Sequence, residues 1–214
     1  VALEIKICGI TNVEDARAAL ALGVDYLGFI FYPKSPRAVT TAQVKRVLDE
    51  LGSPCKAVGV FVNAPREEVE AAVEACGLWA AQIHGDETAE EFAESPIRLW
   101  RALKMMPGGP QPDPSCWAAE RYVVDAAVPG AFGGTGVTAD WDAARDVAQE
   151  HPVLLAGGLT PENVTVAVRA VRPVGVDVSS GVELSKGKKD HERMRIFVER
   201  ARAVAAGENG NAKN

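Results

Sequence analysis

The chain has 214 residues, 47% of them hydrophobic and 24% charged, with 29 acidic against 23 basic side chains and a formal net charge of −6. That composition excludes a collagen-like or wholly disordered chain, and the acidic balance speaks against a nucleic-acid binder, which carries a basic stripe. A chain of this length buries about 70% of its unfolded surface and needs no disulfide to be stable.

Eight short apolar runs alternate with amphipathic segments. They start near Leu3, Tyr26, Lys56, Trp79, Arg98, Arg121, Pro152 and Val174. The intervals, roughly 19–31 residues, match one strand of ~5–6 residues, one helix of ~11–12 and two short loops. Runs such as Tyr26-Leu27-Gly28-Phe29-Ile30-Phe31 and Val153-Leu154-Leu155-Ala156 are nearly continuous in apolar character, as parallel strands covered on both faces are. Helix signals lie between them. Thr11-Asn12 caps Glu14–Leu22, with Gly23 beyond its end. Thr40 or Thr41 starts Ala42–Leu51, and Pro65 fits the first turn of Arg66–Cys76. Thr160 caps a helix running to Val171 with Pro161 in its first turn, and Asp190 starts the last helix, through Ala206. The Pro/Gly-rich segment 107–114 leaves room only for a turn of helix around Ser115–Glu120.

This pattern predicts an α/β fold: a single (β/α)8 TIM barrel over residues 1–206 with a degenerate fifth helix, followed by a frayed, disordered tail at 207–214. The competing architecture is an open doubly wound sheet. Gly134-Thr135-Gly136-Val137-Thr138-Ala139 matches its dinucleotide fingerprint as a string, but a long loop separates it from the preceding strand. The next strand also ends in Gly157-Gly158, where an acidic ribose ligand is required.

Four well-separated cysteines, with no C-x-x-C or Cys/His pair at zinc spacing, imply free thiols, no metal site and a reducing, cytoplasmic setting. Glu4 and Lys6 interrupt any signal-peptide core. No run of ~18 apolar residues is present, so no membrane span is expected.

In a barrel of this kind chemistry collects at the C-terminal ends of the strands. The small turns Gly157-Gly158 and Ser179-Ser180-Gly181 after strands 7 and 8 let backbone N–H groups approach a phosphate, although glycines also simply make tight turns. Cys8, directly before Gly9, is placed for chemistry or is inert packing. Asp125 ends an apolar strand, where a carboxylate needs a partner or a proton unless the position is surface loop. Arg37 offers a fork suited to carboxylate or phosphate, or is solvated. His84 and Asp177 can be ligands or structural groups.

The strand ends taken together resemble the phosphoribosylanthranilate isomerase family. The matching pieces are Lys6-Ile7-Cys8-Gly9-Ile10-Thr11, Gly28-Phe29-Ile30-Phe31 with Ser35-Pro36-Arg37, Gly59-Val60-Phe61-Val62-Asn63, Gln82-Ile83-His84-Gly85-Asp86-Glu87, Gly133-Gly134-Thr135-Gly136 and Leu155-Ala156-Gly157-Gly158-Leu159. Val176-Asp177-Val178-Ser179-Ser180-Gly181-Val182-Glu183, with Gly187-Lys188-Lys189-Asp190, closes the series. The resemblance implies a (β/α)8 barrel that carries out an Amadori rearrangement of a phosphoribosyl substrate in tryptophan biosynthesis. It implies Cys8 as general base, Asp125 as general acid, Arg37 facing the anthranilate carboxylate, and His84 and Asp177 lining the pocket. Gly157, Gly158, Ser179, Ser180 and Gly181 would hold phosphate. The iminium formed on the substrate is its own electron sink, so no cofactor is implied. Acid and base need opposite tuning: Asp125 must hold its proton near neutral pH, and cationic surroundings should lower the Cys8 thiol. Val137 and Leu184-Ser185-Lys186-Gly187 depart from the family's usual residues. The alternatives are a phosphosugar isomerase of histidine biosynthesis, which resembles two phosphate-binding half-barrels and tends to use two aspartates, and a non-catalytic phosphosugar-binding barrel.

Overall fold

The strand ladder closes on itself. A computed structural model describes residues 2–106, 108–125 and 141–211, and its eight parallel strands are β1 (Glu4–Cys8), β2 (Tyr26–Ile30), β3 (Lys56–Phe61), β4 (Ala80–Ile83), β5 (Leu99–Met106), β6 (Arg121–Asp125), β7 (Val153–Ala156) and β8 (Gly175–Val178). Each pairs with its successor, β4 pairs with β5, and β8 returns to β1 with Lys6 opposite Asp177. This is the closed (β/α)8 barrel and not the open sheet. The strands begin within one residue of the starts read from the apolar runs, because burial on both faces leaves those runs no other accommodation.

The connecting helices are α1 (Val13–Ala21), α2 (Thr41–Leu51), α3 (Arg66–Cys76), α4 (Ala89–Phe92), α5 (Trp141–Glu150), α6 (Val164–Val171) and α7 (His191–Asn211). Asn12 caps α1 by accepting from the Asp15 N–H at 2.8 Å. Thr40 caps α2 in a reciprocal box with Gln43. Pro65 occupies the cap position of α3 and not its first turn. The start expected for α6 at Thr160 is wrong by about one turn. Asn163 donates to the Gly158 carbonyl at 2.9 Å and accepts from the Thr160 N–H at 2.8 Å. These bonds hold 158–163 as a separate turn, and the helix begins only at Val164. Helix α7 continues to Asn211, beyond the Ala206 end read from the sequence.

The fifth unit is degenerate, as its prolines require: a single 3-10 turn, Pro114–Cys116, replaces the helix. Its Gly/Pro segment also forms a short strand, Gly109–Gln111, folded back antiparallel on β5. Helix α4 is a single turn as well, a shortening the sequence rhythm did not disclose. The Gly133-Gly134-Thr135-Gly136 run and Val137 lie outside the described residues. Among the described residues no helix is long and apolar enough to cross a membrane.

Strand side chains alternate between the two faces, and inside the barrel this parity sets up layers. Tyr26, Val58, Ala80, Trp100, Val123 and Leu154, one from each of β2 to β7, form a buried apolar plug. The Tyr26 and Trp100 rings meet edge to face, with centroids 4.7 Å apart. Two residues further along, the same parity brings Gly28, Gln82, Ala102, Asp125 and Ala156 inward, level with a polar centre. The plug closes the lower end and leaves the C-terminal end for chemistry.

Trp100 is fully buried and its indole N–H has no partner among the described residues. Trp100→Ala should therefore cost about 3–5 kcal/mol, the usual range for emptying an aromatic core site. Trp100→Phe should cost clearly less, because no hydrogen bond is lost. Urea unfolding midpoints of the two variants against the parent check this.

Candidate active site

Every residue singled out at a strand end lies at the C-terminal end of the barrel or in the loop that follows. Cys8 is the last residue of β1 and is buried. Arg37 lies in the loop after β2, His84 directly follows β4, and Asp125 ends β6. Gly157-Gly158 and Ser179-Ser180-Gly181 follow β7 and β8, and Asp177 lies within β8. The charges of Lys6, Asp125, Asp177 and Lys104 all act on His84, and those of Lys6, Asp177 and Lys189 on Cys8. The acid and base candidates thus share one electrostatic neighbourhood.

Sequence reasoning assigned no role to Lys6, Gln82, Glu183 or Lys189, and the structure places all four here. Lys6 is fully buried and donates from Nζ to Asp177 Oδ2 at 2.9 Å across the β1–β8 seam. A lysine in an apolar strand is almost never fully buried without a partner, and it stands two residues before Cys8, on the same face. That parity was the available signal. Burial opposes the ammonium, but the Asp177 carboxylate and the Cys8 sulfur outweigh it, so Lys6 lies above the ordinary lysine range and stays charged. Asp177 Oδ1 and Ser179 Oγ are buried and have no partner among the described residues. Buried polar atoms are normally paired, which marks both for a hydroxyl or phosphate of a bound molecule.

Arg37 is not a solvated loop residue. Its Nε and Nη2 donate to the two carboxylate oxygens of Glu183, both at 2.6 Å. The Lys189 ammonium donates to Glu183 Oε1 at 3.1 Å and to the Ser179 carbonyl at 3.0 Å. Burial pushes the Glu183 carboxyl up, but Arg37 and Lys189 outweigh it and hold the group below its usual range. Burial lowers Lys189 despite Glu183. This clamp uses one edge of the Arg37 fork. Among the described residues Nη1 and the outer side of Nη2 remain for a second carboxylate.

The expectation for Cys8 is corrected. Burial pushes its thiol above the ordinary value, and Lys6 and Lys189 offset only part of that effect. The cationic surroundings exist, but desolvation of a thiolate at the end of a packed strand is the larger effect. His84 is lowered, first by burial and then by Lys6. Gln82 Nε2 lies 3.1 Å from His84 Nδ1, an arrangement that makes Nδ1 the acceptor and leaves Nε2–H as donor.

The turns after β7 and β8 press against each other. A Cβ at Gly181 would stand 1.9 Å from the Leu159 carbonyl oxygen, so no other residue fits. Gly157 and Gly158 have φ of 88° and 64°, a region that favours glycine. A Cβ at Gly158 would meet nothing within 4 Å among the described residues, so on their side the loop borders open space.

A family profile described as N-(5'-phosphoribosyl)anthranilate (PRA) isomerase matches residues 5–200. The chain is 42% identical over 206 residues to N-(5'-phosphoribosyl)anthranilate isomerase of Magnetococcus marinus, covering 96% of this chain and 98% of that one. The crystal structure of phosphoribosyl anthranilate isomerase from Thermotoga maritima superposes with a TM-score of 0.82 at 35% identity, covering 94% and 99% of the two chains. A phosphoribosyl anthranilate isomerase in complex with reduced 1-(o-carboxyphenylamino)-1-deoxyribulose 5-phosphate superposes with a TM-score of 0.78 at 33% identity, over 94% and 99%.

The lowered His84 has a signed consequence. Its folded-state pKa lies below the ordinary histidine value of 6.5, so the neutral imidazole stabilises the fold above that pH. Its contribution declines as pH falls below 6.5 toward the folded value. A 15N titration of the imidazole should give a midpoint below 6.5, with Nδ1 unprotonated in the neutral form. A midpoint at or above the ordinary value would remove the argument from burial.

Proposed function

This chain belongs to the N-(5'-phosphoribosyl)anthranilate isomerase family, and we propose that Cys8 and Asp125 are the base and acid of its reaction. The enzyme is an isomerase of tryptophan biosynthesis. It rearranges N-(5-phosphoribosyl)anthranilate to 1-(2-carboxyphenylamino)-1-deoxyribulose 5-phosphate. The observation that carries the proposed assignment is that β1 and β6, three strands apart round the ring, end in a buried thiol and a carboxyl with the β7 and β8 turns between them. A phosphosugar anchored on those turns has its ring between the two groups.

The steps follow from what the groups carry. Asp125, protonated, gives its proton to the furanose ring oxygen as the C1–O bond breaks. The anthranilate nitrogen supplies the electron pair and becomes a C1=N iminium. The Cys8 thiolate removes the C2 proton and becomes a thiol. The C2–H electrons form the C1=C2 bond as the C1=N pair returns to nitrogen, and the resulting enolamine takes a proton at C1 while its C2 hydroxyl loses one, which gives the ketone. Because the iminium draws those electrons, no cofactor enters the scheme. The raised thiol makes the thiolate scarcer but a stronger base.

Binding is assigned to the remaining groups. The free side of the Arg37 fork receives the anthranilate carboxylate. Asp177 Oδ1 and His84 Nε2–H take ribose hydroxyls, and backbone amides of Gly157, Gly158, Ser179, Ser180 and Gly181 hold the phosphate. The four cysteines are free, which supports a cytoplasmic setting. The histidine-biosynthesis alternative receives less support, because a thiol stands where two aspartates would be expected.

Asp125→Asn should fold, bind a product analogue normally and lose about 10²–10⁴-fold in kcat, because asparagine has no proton to give. Affinity and turnover falling together would instead make Asp125 a pocket-shaping group. Because burial raises Cys8, the residual kcat/KM of Asp125→Asn, which has no titrating acid, should keep rising with pH through the ordinary thiol range. An acid limb that levels off well below that range would contradict a desolvated thiol base.

Gly158→Val should raise KM for the substrate at least ~10-fold with a small change in kcat, and inorganic phosphate should lose its competitive inhibition. A valine Cβ enters the open space beside the turn and must also adopt a left-handed φ. An unchanged KM would move the phosphate elsewhere.

A further inference from the structure

The strongest unassigned feature is the fully buried lysine beneath the base. Lys6 and Cys8 both face the barrel interior from β1, two residues apart. A Cβ built on Gly28 of the neighbouring strand would stand 2.8 Å from Cys8 Sγ and 3.1 Å from Lys6 Cε. The sulfur and the end of the lysine stem therefore crowd the same spot, one that only glycine leaves open. The ammonium is tied to Asp177 Oδ2 at 2.9 Å, and the other oxygen of that carboxylate has no partner among the described residues.

We propose that Lys6 is a positioning residue of the isomerisation, whose Asp177-anchored ammonium is the fixed counter-charge that lets the buried Cys8 sulfur exist as the thiolate base. The inference rests on the reading of Cys8 as base. Lys6 keeps its proton throughout: the C2 proton of the substrate goes to sulfur, and Lys6 only lowers the energy of the anion present before that transfer. Its attraction opposes the desolvation that pushes the thiol up. The other charged groups facing Cys8 are Asp177 from β8, which disfavours the anion, and Lys189 and Arg37 from the loops after β8 and β2, which favour it. Lys6 is the largest favourable contribution among them, and it stands on the same strand as the sulfur it faces. Asp177 therefore has two opposed effects: it anchors the cation and repels the thiolate.

That opposition supplies the test. Cysteine labelled with 13C at Cβ is titrated by NMR in the full-length protein, with the Cys8 signal assigned from Cys8→Ala, alongside the kcat/KM pH profile. Lys6→Gln should raise the Cys8 midpoint by at least one unit and lower kcat/KM at neutral pH about tenfold or more. Lys6→Arg should restore most of the shift. Asp177→Asn should move the Cys8 midpoint downward, opposite to Lys6→Gln, although it weakens substrate binding. A purely structural pair would show no such opposed signs. If Lys6→Gln leaves the midpoint unmoved, or Asp177→Asn raises it, the proposal is overturned. If Lys6→Gln does not fold, the sign in Asp177→Asn decides alone. Full turnover in Cys8→Ala would defeat the base assignment, while the titrations would still report whether Lys6 stabilises the thiolate.

Discussion

The buried ion pair between Lys6 and Asp177 is the constraint around which the upper barrel is organised. It joins the first strand to the last at the seam where the ring closes, with the two residues opposite each other in the ladder. Taking two charges out of water costs several kcal/mol per ion, and their attraction offsets that only when geometry is good and the remaining polar atoms are satisfied. Here one carboxylate oxygen is without a partner among the described residues. An apolar pair would fill the same position with less desolvation, so the ion pair is better explained by the chemistry above it than by stability.

From that pair the polar groups spread outward to the loops. Cys8 lies one step along the same strand, close enough for its titration to depend on the lysine. Arg37, Glu183 and Lys189 form a second cluster over the loops after β2 and β8, in which Arg37 is the partly exposed member. Glu183 locks one edge of the Arg37 fork, fixing the plane of the guanidinium before any ligand arrives. A fork held in place loses less side-chain entropy on meeting a carboxylate than a free one does. The β3 and β4 ends are braced separately. Glu87 accepts from the Asn63 N–H at 2.5 Å and faces Arg101 at 3.7 Å, while Arg101 donates to the Ile83 and Gly85 carbonyls at 2.8 Å each. This bracing holds His84 from behind.

The lower half of the barrel is apolar, and the alternation of strand side chains links the two halves. Trp100, Val123 and Leu154 close the bottom. Two residues further along β6, the same inward parity presents Asp125 at the top. A single strand thus carries a core residue and a site residue on one face, which is why a strand-end position says so much about role in this fold.

Much of this was legible along the chain. Eight apolar runs at a regular spacing determined the number of strands, and their two-sided hydrophobicity determined that they were parallel and covered. The Pro-rich segment before Ser115 determined the lost fifth helix, and the Gly and Ser turns after the last two strands marked where backbone approaches backbone. The sequence also determined which residues stand at strand ends, because position within a strand is a local property. Partnership was not local. Lys6 and Asp177 are 171 residues apart, and Arg37 and Glu183 are 146 apart. Only closure of the ring brings each pair together. The shift of the Cys8 thiol was likewise undecidable along the chain, because it depends on desolvation by packing from neighbouring strands weighed against charges delivered by two distant loops. The tertiary structure decided which charges meet and how much water they lose, and those two quantities set the chemistry of the site.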